Sequence, residues 1–503
     1  MQSLTHSSAP TVKYVSSITQ FKPSAHLQVA IVGAGAAGLS CALHLHDRGI
    51  ESAVFERDKV PSGSTALSSG FIPAPCTRLQ VSMSIKDSVE LFVSDLRRKS
   101  KGQGSQTLEV AYAGAVAKAL DALELNHGFN WEILDQFLYP GHSVHRMHAL
   151  AERTGQALMG RLQLTTDKLG IPVLTHSLVN EIWMHDDLVI GVGIQRSDGA
   201  LEHYGCDALV LCCNGYGGNQ ELIKRYIPQM QNATFAGHIG NDGSAVIWGT
   251  QLGAELCDLG GYQGHGSWAV PHGILVTWAL MIHGGIQLNA LGERFHDETK
   301  GYSEAAVEVL KQPAGVAWCV FDESAYLHGL EFPDFKSADQ AGAVLKFSNL
   351  AQLAESIGCD VQKIQQSLRS IDQAIVANKG EDKATGRIFK RALCIGDIGD
   401  VGDVGDVGDV GDAQDSCVYA VKVTGALFHT QGGLNIDENA KVLKSGVGAF
   451  DNLYAAGGAA RGVSGNEVWG YLSGNGLLSA FAGGYLAASS IHNAIKDKNS
   501  LKA

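Results

Sequence analysis

The chain has 503 residues, of which 45% are hydrophobic, and a formal net charge of −13. This length is enough for large hydrophobic cores and favours two domains over one. No basic patch stands out among the 38 Lys and Arg residues, which argues against nucleic acid as a partner. No apolar run approaches the ~18 to 20 residues of a membrane span. The ten cysteines form no CxxC pair, and this usage is typical of a reduced, cytoplasmic protein.

The amino-terminal segment, residues 1–26, is rich in Ser and Thr and contains no acidic residue. It lacks the hydrophobic stretch of a signal peptide. We therefore expect a loose amino-terminal tail.

The stretch 27–58 carries the pattern of a strand, a Gly-rich turn, a helix and a second strand. In order, these are an apolar run at Val29–Val32, a turn at Gly33, a helix at Ala36–Arg48 and an apolar run at Ser52–Phe55. Gly35 and Gly38 complete a dinucleotide-binding fingerprint, and Glu56 follows the second strand. In this motif the glycines allow a tight turn and a close approach to a pyrophosphate, and the acid binds ribose hydroxyls. The stretch predicts a dinucleotide bound at the amino terminus of the helix.

Polar segments follow two of the predicted strands. Residues 61–71 are small and hydroxyl-bearing, too polar for a core, and offer N–H and O–H donors to the rest of the cofactor. Ala208–Cys213 predicts another buried parallel strand, which runs into Asn214. A Gly-rich turn containing Asp242 then begins the next predicted helix. Together with the fingerprint, these segments predict an α/β fold with a parallel sheet.

Residues 140–148 bring three His and one Arg together. No Cys, Asp or Glu stands at ligand spacing from them, so we expect no metal site here. A polar loop near the substrate or cofactor is the better interpretation.

Seven segments together resemble the flavoprotein family of fumarate reductases and succinate dehydrogenases, which also contains the ketosteroid dehydrogenases. In chain order they are VGAGAAGLSCALHL, SGSTALSSGF, LVLCCNGYGGN, GNDG, GGIQLNALGERFHDE, FHTQGGLNID and LYAAGGAARGVSGNEVWGYLSGNGLLSAFAGGYLAA. The resemblance implies that the bound dinucleotide is FAD.

The same resemblance implies a Rossmann-like FAD-binding domain built from both ends of the chain and a mixed α+β capping domain that closes over the flavin. We expect the FAD-binding domain at 27–262 and 430–503, and the capping domain at 263–429. The capping domain contains a repeat of Gly and Asp at 395–415. Its period of three is not that of calcium-binding solenoids, so we interpret it as a solvated loop.

The FAD contacts implied by the resemblance lie in the Gly-rich turn, the 61–71 loop, the later strand ends and the carboxy-terminal turn. They are Gly33, Gly35, Ala36, Ala37, Gly38, Glu56, Arg57, Ser64, Thr65, Ser68, Ser69, Gly70, Val179, Cys213, Asn214, Gly215, Asp242, Gly457, Gly458, Gly474, Asn475, Gly476, Leu477 and Leu478. Gly458 stands where the family usually has an acid. The 61–71 loop has no His, to which some relatives attach FAD, so we expect the cofactor to be non-covalent.

The arginines that fumarate reductases of this family use for catalysis are missing. The proton donor would fall near Glu298–Gly301 and the carboxylate clamp after Val463, and neither segment contains Arg. His283 replaces an Arg of the capping segment. A dicarboxylate would lose much of its bidentate recognition.

Two tyrosines stand where ketosteroid and related dehydrogenases place theirs. The resemblance implies Tyr471 as base, or as acid in the reverse direction, with Ser473 as its relay. Tyr302 would be the partner of the substrate carbonyl. His265 and His429 keep family positions and would orient the substrate. That both tyrosines only pack against neighbours stays open.

The sequence thus predicts an FAD-dependent oxidoreductase that desaturates or reduces a carbon–carbon bond beside a carbonyl. A base removes the acidic α-proton while flavin N5 accepts a hydride from the β-carbon. We expect a cyclic ketone or 3-ketosteroid-like substrate and an unidentified electron acceptor or donor. One alternative is a fumarate reductase-like enzyme for a small unsaturated carboxylic acid, with Arg461 meeting the carboxylate. Another is a flavin-binding protein without turnover.

Overall fold

The structure, a computed structural model, describes residues 9–136, 138–377, 379–395 and 417–500. The chain divides into two compact units. Unit 1 contains the described residues of Met1–Ile227, Gly237–Gln263 and His429–Ala503, and unit 2 contains those of Pro228–Ala236 and Gly264–Phe428. The segment with the Gly-Asp repeat, apart from residue 395, lies outside the described residues.

Unit 1 is built on a nine-stranded sheet whose central strand is Leu201–Leu211. This strand pairs in parallel with Ala25–Val32, which pairs in parallel with Ser52–Phe55. The other edge of Leu201–Leu211 has two partners. The first residues of Leu201–Leu211 pair antiparallel with Leu188–Arg196, and its last three pair in parallel with Ala449–Ala455. The carboxyl ends of these four parallel strands therefore lie side by side.

The same sheet also contains Thr11–Val15, Val173–Leu174, Ser177–His185 and Lys441–Leu443. The strands of unit 1 outside it are Ile72–Pro73, Glu132–Ile133, Met147–Ala149, Leu256–Cys257 and Gly433–Leu434. The helices are Ala36–His46, Gly63–Ala66, Arg78–Ser82, Val89–Lys99, Gln106–His127, Gly155–Lys168, Gln220–Tyr226, Ser244–Leu252 and Asn475–Ser500.

Small residues let the first helix pack tightly against the last. Ala36–His46 is buried on almost every side and lies against Asn475–Ser500. A Cβ placed on Gly484 would lie 2.9 Å from Ala37 O and 3.1 Å from Cys41 N. The Ala- and Gly-rich composition of both helices follows from this close approach.

Of the segment 1–26, expected to be a loose tail, residues 9–26 are described, and part of them belongs to the sheet. Thr11–Val15 forms an edge strand, parallel to Ser177–His185. The Gln251 side chain accepts from Val12 N at 2.7 Å and donates to Pro10 O at 2.9 Å. The prediction was wrong because partners far along the chain, rather than any local apolar pattern, place this strand.

Unit 2 is built on a seven-stranded sheet with hydrophobic clusters on both faces. Its strands are Thr234–Phe235, Tyr262–Ala269, Ile274–Leu275, Ile286–Leu288, Val316–Phe321, Leu345–Phe347 and Val418–Thr430. Its helices are Ala279–Ile282, Tyr302–Leu310, Glu323–Gly329, Pro333–Gln340, Leu350–Ile357 and Val361–Ala377. Along Val316–Phe321, Ala317, Cys319 and Phe321 enter one cluster and Trp318 and Val320 the other. This alternation is the two-residue period of a strand buried on both sides. The parallel sheet of unit 1 and the mixed unit 2 confirm the predicted fold class.

A buried ion cluster in unit 2 fixes the segment that leads into Tyr302–Leu310. The Glu298 carboxylate is fully buried and lies 3.0 Å from Arg294 Nη2 and 2.9 Å from Arg387 Nη1. Burial raises the pKa of Glu298, but the charges of the two arginines outweigh this effect and lower it to about 2. Glu298 thus stays ionised, and its removal leaves two buried cations without their shared partner.

We expect Glu298→Gln to lower the free energy of unfolding by about 3–5 kcal/mol, since Arg294 keeps Asp382 but the buried Arg387 loses its carboxylate partner. Glu308→Gln is the matched control, because Glu308 pairs with exposed Lys311 at 2.8 Å. Its effect should stay within about 0.5 kcal/mol. Urea titrations followed by circular dichroism measure both.

The pH dependence has a fixed sign. A depressed carboxyl pKa stabilises the fold fully above the unfolded value of about 4.3 and loses this effect as the pH falls toward the folded value. The difference between wild type and Glu298→Gln should shrink between pH 5 and about 2. A difference that stays constant, or grows on acidification, would contradict the ion-cluster account.

Candidate active site

The Gly-rich turn of unit 1 is shaped by two contacts that only glycine permits. Gly33 has φ +101°, and a Cβ placed there would lie 2.6 Å from Cys212 O. A Cβ on Gly38 would lie 1.9 Å from Gly33 O. At Gly35 a Cβ would meet only Thr65 Oγ1, at 3.7 Å. The turn is therefore closed toward the sheet and open on the side where the fingerprint predicts phosphate.

Glu56 and Thr65 bind the backbone of this turn. Glu56 is buried and accepts Ala34 N–H through Oε2 and Asp58 N–H through Oε1, each at 2.9 Å. Thr65 Oγ1 lies 3.1 Å from Ala36 N, at the first turn of the helix. A carboxylate oxygen can accept more than one hydrogen bond, so these contacts leave Glu56 able to accept from ribose hydroxyls as well.

The 61–71 loop is ordered by its own backbone and by the start of helix Gly155–Lys168. It contains the short helix Gly63–Ala66. Ser68 Oγ donates to Thr65 O at 2.7 Å and accepts from Gly70 N at 3.1 Å. Ser69 is exposed. Among the predicted FAD contacts of this loop, Ser64 and Thr65 are the ones that reach other strand ends.

Ser64 meets the two polar residues that follow later strands. Its Oγ accepts from Asn214 Nδ2 at 3.1 Å and from Asn241 Nδ2 at 3.0 Å. Asn241 is buried and was missed from the sequence. Its neighbour Asp242 forms an ion pair with Arg57 at 2.9 Å. These residues make one polar cluster at the carboxyl ends of the parallel strands.

The carboxy-terminal turn lies against the same cluster. Gly457 has φ +63°, and a Cβ there would lie 3.0 Å from Ala37 Cβ. A Cβ on Gly458 would lie 2.1 Å from Asn214 Oδ1. The space that the family's usual acid would enter is thus taken by the Asn214 side chain, which explains the glycine at 458. Gly215 lies beside Thr430 in a similar way, since a Cβ placed on it would lie 1.9 Å from Thr430 Oγ1.

Two other predicted FAD contacts have buried hydrophobic side chains. Val179 and Leu478 are buried in the hydrophobic core of unit 1. Cys213 directly follows the central strand, and burial raises the pKa of its thiol to about 12. Such a thiol is neutral and inert at neutral pH.

The helix Asn475–Ser500 begins beside His429. A Cβ on Gly476 would lie 3.0 Å from His429 Cε1, so the glycine lets this ring lie close against the first helical turn. The Tyr471 and His429 rings are 5.6 Å apart, edge to face. Burial lowers the pKa of His429 to about 4, so the ring is neutral at neutral pH.

Ser473 and the turn before this helix are held by His142. His142 Nε2 lies 3.0 Å from Ser473 O, and burial together with the charge of Arg146 lowers the pKa of His142 to about 4. The fully buried Arg146 pairs with Asp87 at 2.9 Å and Asp95 at 2.6 Å. The His-rich segment 140–148 therefore supports the turn that carries Tyr471. Within the described residues, no group of three or more His, Cys, Asp and Glu side chains is placed to hold a metal ion.

In unit 2, His265 and Tyr302 stack on each other. Their ring centroids are 4.8 Å apart with an 11° angle between the planes, and Trp278 packs edge-on against His265. Burial lowers the pKa of His265 to about 3, and its Nδ1 lies 2.9 Å from Ser267 Oγ. Unit 2 thus also pairs a tyrosine with a neutral, buried histidine.

The cationic residues considered from the sequence have other partners. Arg461 Nε lies 2.6 Å from Asp258 Oδ2, so this guanidinium already binds a carboxylate. His283 stacks on His328 with centroids 4.7 Å apart and lies 3.1 Å from Ser324 Oγ. Neither contacts the histidine–tyrosine pairs through these bonds.

Sequence reasoning missed four polar residues of unit 1: Asn241, His142, Gln431 and Ser464. Gln431 lies 3.1 Å from His429 Nδ1 and 2.8 Å from Ser464 Oγ. Gln431 stands in the motif FHTQGG and Ser464 in the motif ARGVSGN. In each motif the available signal was a polar residue beside glycines.

Membrane insertion through a helix has no support in the part of the chain described, because none of its helices is both long and apolar enough to span a bilayer.

Comparison with known proteins gives the fold and cofactor independently. The sequence profile of the family described as FAD binding domain matches residues 28–477. A probable fumarate reductase of Shewanella frigidimarina is 27% identical over 481 residues, covering 95% of this chain and 76% of that protein.

Solved structures show the same architecture. The open conformation of a flavocytochrome c3 fumarate reductase matches with a TM-score of 0.77 at 26% identity, covering 94% of this chain and 79% of that one. A 3-ketosteroid-Δ4-(5α)-dehydrogenase from Rhodococcus jostii matches with a TM-score of 0.72 at 19% identity, covering 95% and 99%. The second likeness concerns the fold alone.

The family match spans most of the chain, and the glycine-shaped turn and polar strand ends fit FAD. The chain therefore belongs to the FAD binding domain family and is an FAD-dependent oxidoreductase of the kind that acts on carbon–carbon bonds.

Proposed function

We propose that this enzyme desaturates, or in reverse reduces, a carbon–carbon bond adjacent to the carbonyl of a cyclic ketone. A 3-ketosteroid-like compound is the substrate class that we favour. The supporting observation is that Tyr471 lies against the half-buried His429 and Tyr302 against the buried His265, each in its own unit, and that both histidines are neutral at neutral pH. Both pairs are suited to an uncharged substrate.

Three arginines that could otherwise bind a dicarboxylate already have carboxylate partners, which also favours an uncharged substrate. Arg461 is paired with Asp258, and both Arg294 and Arg387 are paired with Glu298. A dicarboxylate needs charged, bidentate donors. Redirecting these guanidinium groups to a substrate would leave their own carboxylates without partners.

In the proposed reaction Tyr471 takes the proton from the carbon next to the carbonyl, or returns it in the reverse direction. The Ser473 hydroxyl relays that proton. Tyr302 donates a hydrogen bond to the carbonyl oxygen, where negative charge develops. His265 and His429 orient the substrate. FAD, when bound, supplies the hydride chemistry.

The cofactor is held without a covalent bond in this proposal. Residues 61–71 contain no His, and their hydroxyl groups bind neighbouring backbone and amide groups. An electron acceptor or donor completes the cycle. All ten cysteines are free thiols, which supports work in a reducing, cytoplasmic setting.

A second candidate is a reductase for a small unsaturated carboxylic acid. The identity to the probable fumarate reductase favours it. In this alternative, neutral histidines and tyrosines would bind the acid without an arginine pair.

One experiment separates the two candidates. We expect a cyclic 3-ketone to bleach the oxidised flavin, or the matching enone to reoxidise the reduced flavin, in anaerobic stopped-flow mixing. Fumarate should react at least about tenfold more slowly, because a doubly charged ligand is costly to bury without charged partners. Flavin turnover with fumarate but with no ketone or enone would overturn the proposal.

Removing the Tyr471 hydroxyl tests its role in proton transfer. Tyr471→Phe should keep the protein folded and yellow, and lower the rate of flavin reduction about 10²- to 10⁴-fold, the usual range for a general acid or base. Rapid-reaction traces normalised to bound FAD give this rate.

Tyr112→Phe is the control for loss of a buried hydroxyl. Tyr112 is fully buried, and its hydroxyl donates to Arg461 O at 3.2 Å. This variant should lose about 0.5–1.5 kcal/mol of stability and little rate. If Tyr471→Phe behaves like this control, with a rate within about threefold of wild type, Tyr471 does not transfer the proton.

A further inference from the structure

Four polar side chains form a hydrogen-bonded series at the start of helix Asn475–Ser500. They are His429, Gln431, Ser464 and Asn475. The Gln431 carboxamide lies 3.1 Å from His429 Nδ1 and 2.8 Å from Ser464 Oγ, and the Asn475 carboxamide lies 2.9 Å from the same Oγ. Gln431, Ser464 and Asn475 are at most 5% exposed, so these groups must satisfy one another.

Asn475 determines which group donates and which accepts along these four side chains. A carboxamide keeps its shape when it is turned by 180°, so its partners decide which end is oxygen. The Leu472 backbone offers one carbonyl and one N–H, each 3.3 Å from the Asn475 carboxamide. One orientation satisfies both, with the nitrogen donating to Leu472 O and the oxygen accepting from Leu472 N. The Asn475 oxygen then faces Ser464 and accepts its hydroxyl proton.

Ser464 passes this direction on to Gln431. A hydroxyl carries one proton, and once it donates to Asn475 it can only accept from its other neighbour. Turning Asn475 in this way requires Gln431 to be turned by 180° too, so that its nitrogen, and not its oxygen, meets Ser464 and its oxygen meets His429 Nδ1. Without that turn, the Gln431 and Asn475 oxygens would lie 2.8 and 2.9 Å from a hydroxyl that has one proton, and Nδ1 would have no proton for Thr430 O.

The backbone beside His429 agrees with this direction. Thr430 O lies 3.3 Å from His429 Nδ1, and a carbonyl oxygen can only accept. The Gln431 oxygen and Thr430 O then share one Nδ1 proton in a three-centre hydrogen bond, at 3.1 and 3.3 Å. The ring is neutral, because burial lowers the pKa of His429 to about 4 and the positive end of the following helix disfavours a second proton. The one ring proton is then used at Nδ1.

We propose that Gln431 is a positioning residue that holds His429 as its Nδ1–H tautomer and so presents Nε2 to the substrate as a hydrogen-bond acceptor. This inference rests on the proposed role of His429 and narrows the substrate class. The substrate group that meets His429 is a donor, such as a hydroxyl or an enol, since a carboxylate would face the lone pair of Nε2.

The surroundings of Nε2 determine what else bears on its titration. The first turn of the helix lies against it, where a Cβ on Gly476 would be 3.1 Å away. Tyr471 is the titratable side chain that packs on the ring, with centroids 5.6 Å apart. Gln431 and Thr430 approach from the other side, and both are uncharged.

The tautomer can be measured without any substrate. Long-range ¹H–¹⁵N spectra of the FAD-loaded protein, labelled with ¹⁵N-histidine, distinguish a protonated Nδ1 from a protonated Nε2. The His429 signals are assigned by their loss in His429→Gln. We expect a protonated Nδ1. A protonated Nε2 would overturn the inference, whatever substrate the enzyme takes.

The isosteric variant Gln431→Glu gives a kinetic test, because the two tautomers predict opposite pH dependences of its rate. Its carboxylate raises the pKa of His429, so that a new ionisation enters the pH profile of kcat/KM with the ketone. If Nε2 works as an acceptor, the rate should fall about tenfold or more as the pH drops through that ionisation, because the imidazolium can only donate. If Nε2 works as a donor, the rate should instead fall as the pH rises.

Gln431→Leu is the control for loss of the side chain, because it adds no charge. It should show no new ionisation between pH 5 and 9, only a lower rate at all pH values. A Gln431→Glu rate that falls with rising pH, or a profile identical to that of Gln431→Leu, would overturn the inference. If no ketone reacts even with wild type, the proposed function has failed, and the spectra alone decide the tautomer.

Discussion

The close approach of three backbone segments at Gly33 determines where everything else in unit 1 lies. The turn, the helix that follows and the end of the central strand meet at distances that exclude any side chain, with Cys212 O and Gly33 O on either side. Because the strands then end at one level, the residues just beyond them fall into a single row. Ser64, Asn214 and Gly458 contact one another there although they come from three distant parts of the chain. A Cβ at Gly33 or Gly38 would separate the strand ends and with them the cofactor site.

The sequence predicted those parts of the fold whose signals are local. The fingerprint at 27–58 needs only neighbours along the chain, and its strands and helix are where the pattern indicates. The family resemblance then gave the fold class and FAD. By contrast, the strand Thr11–Val15 has no clear apolar face and depends on Gln251. Asn241 reaches Ser64 across 177 positions. A sequence names such residues but does not say which of them meet.

The pairing of buried charges is a second constraint, and the amino-acid composition does not show it. Buried arginines of both units are paired with carboxylates of their own unit, such as Arg146 with Asp87 and Asp95. The histidines beside the two candidate tyrosines are left without charged partners in these contacts and are neutral through burial. Charge thus stabilises the frame, while the groups proposed to meet the substrate act through hydrogen bonds and shape.

Neutral groups make orientation, and not charge, the means of selectivity. A neutral imidazole is a donor at one nitrogen and an acceptor at the other, so what it recognises depends on where its single proton resides. At His429 that choice is made by Leu472, whose backbone groups bind Asn475 and act through Ser464 and Gln431. A backbone turn before the last helix therefore decides what a side chain near Tyr471 binds. This coupling requires Gln431, Ser464 and Asn475 to be buried, as they are, since water between them would supply both a donor and an acceptor and erase the direction.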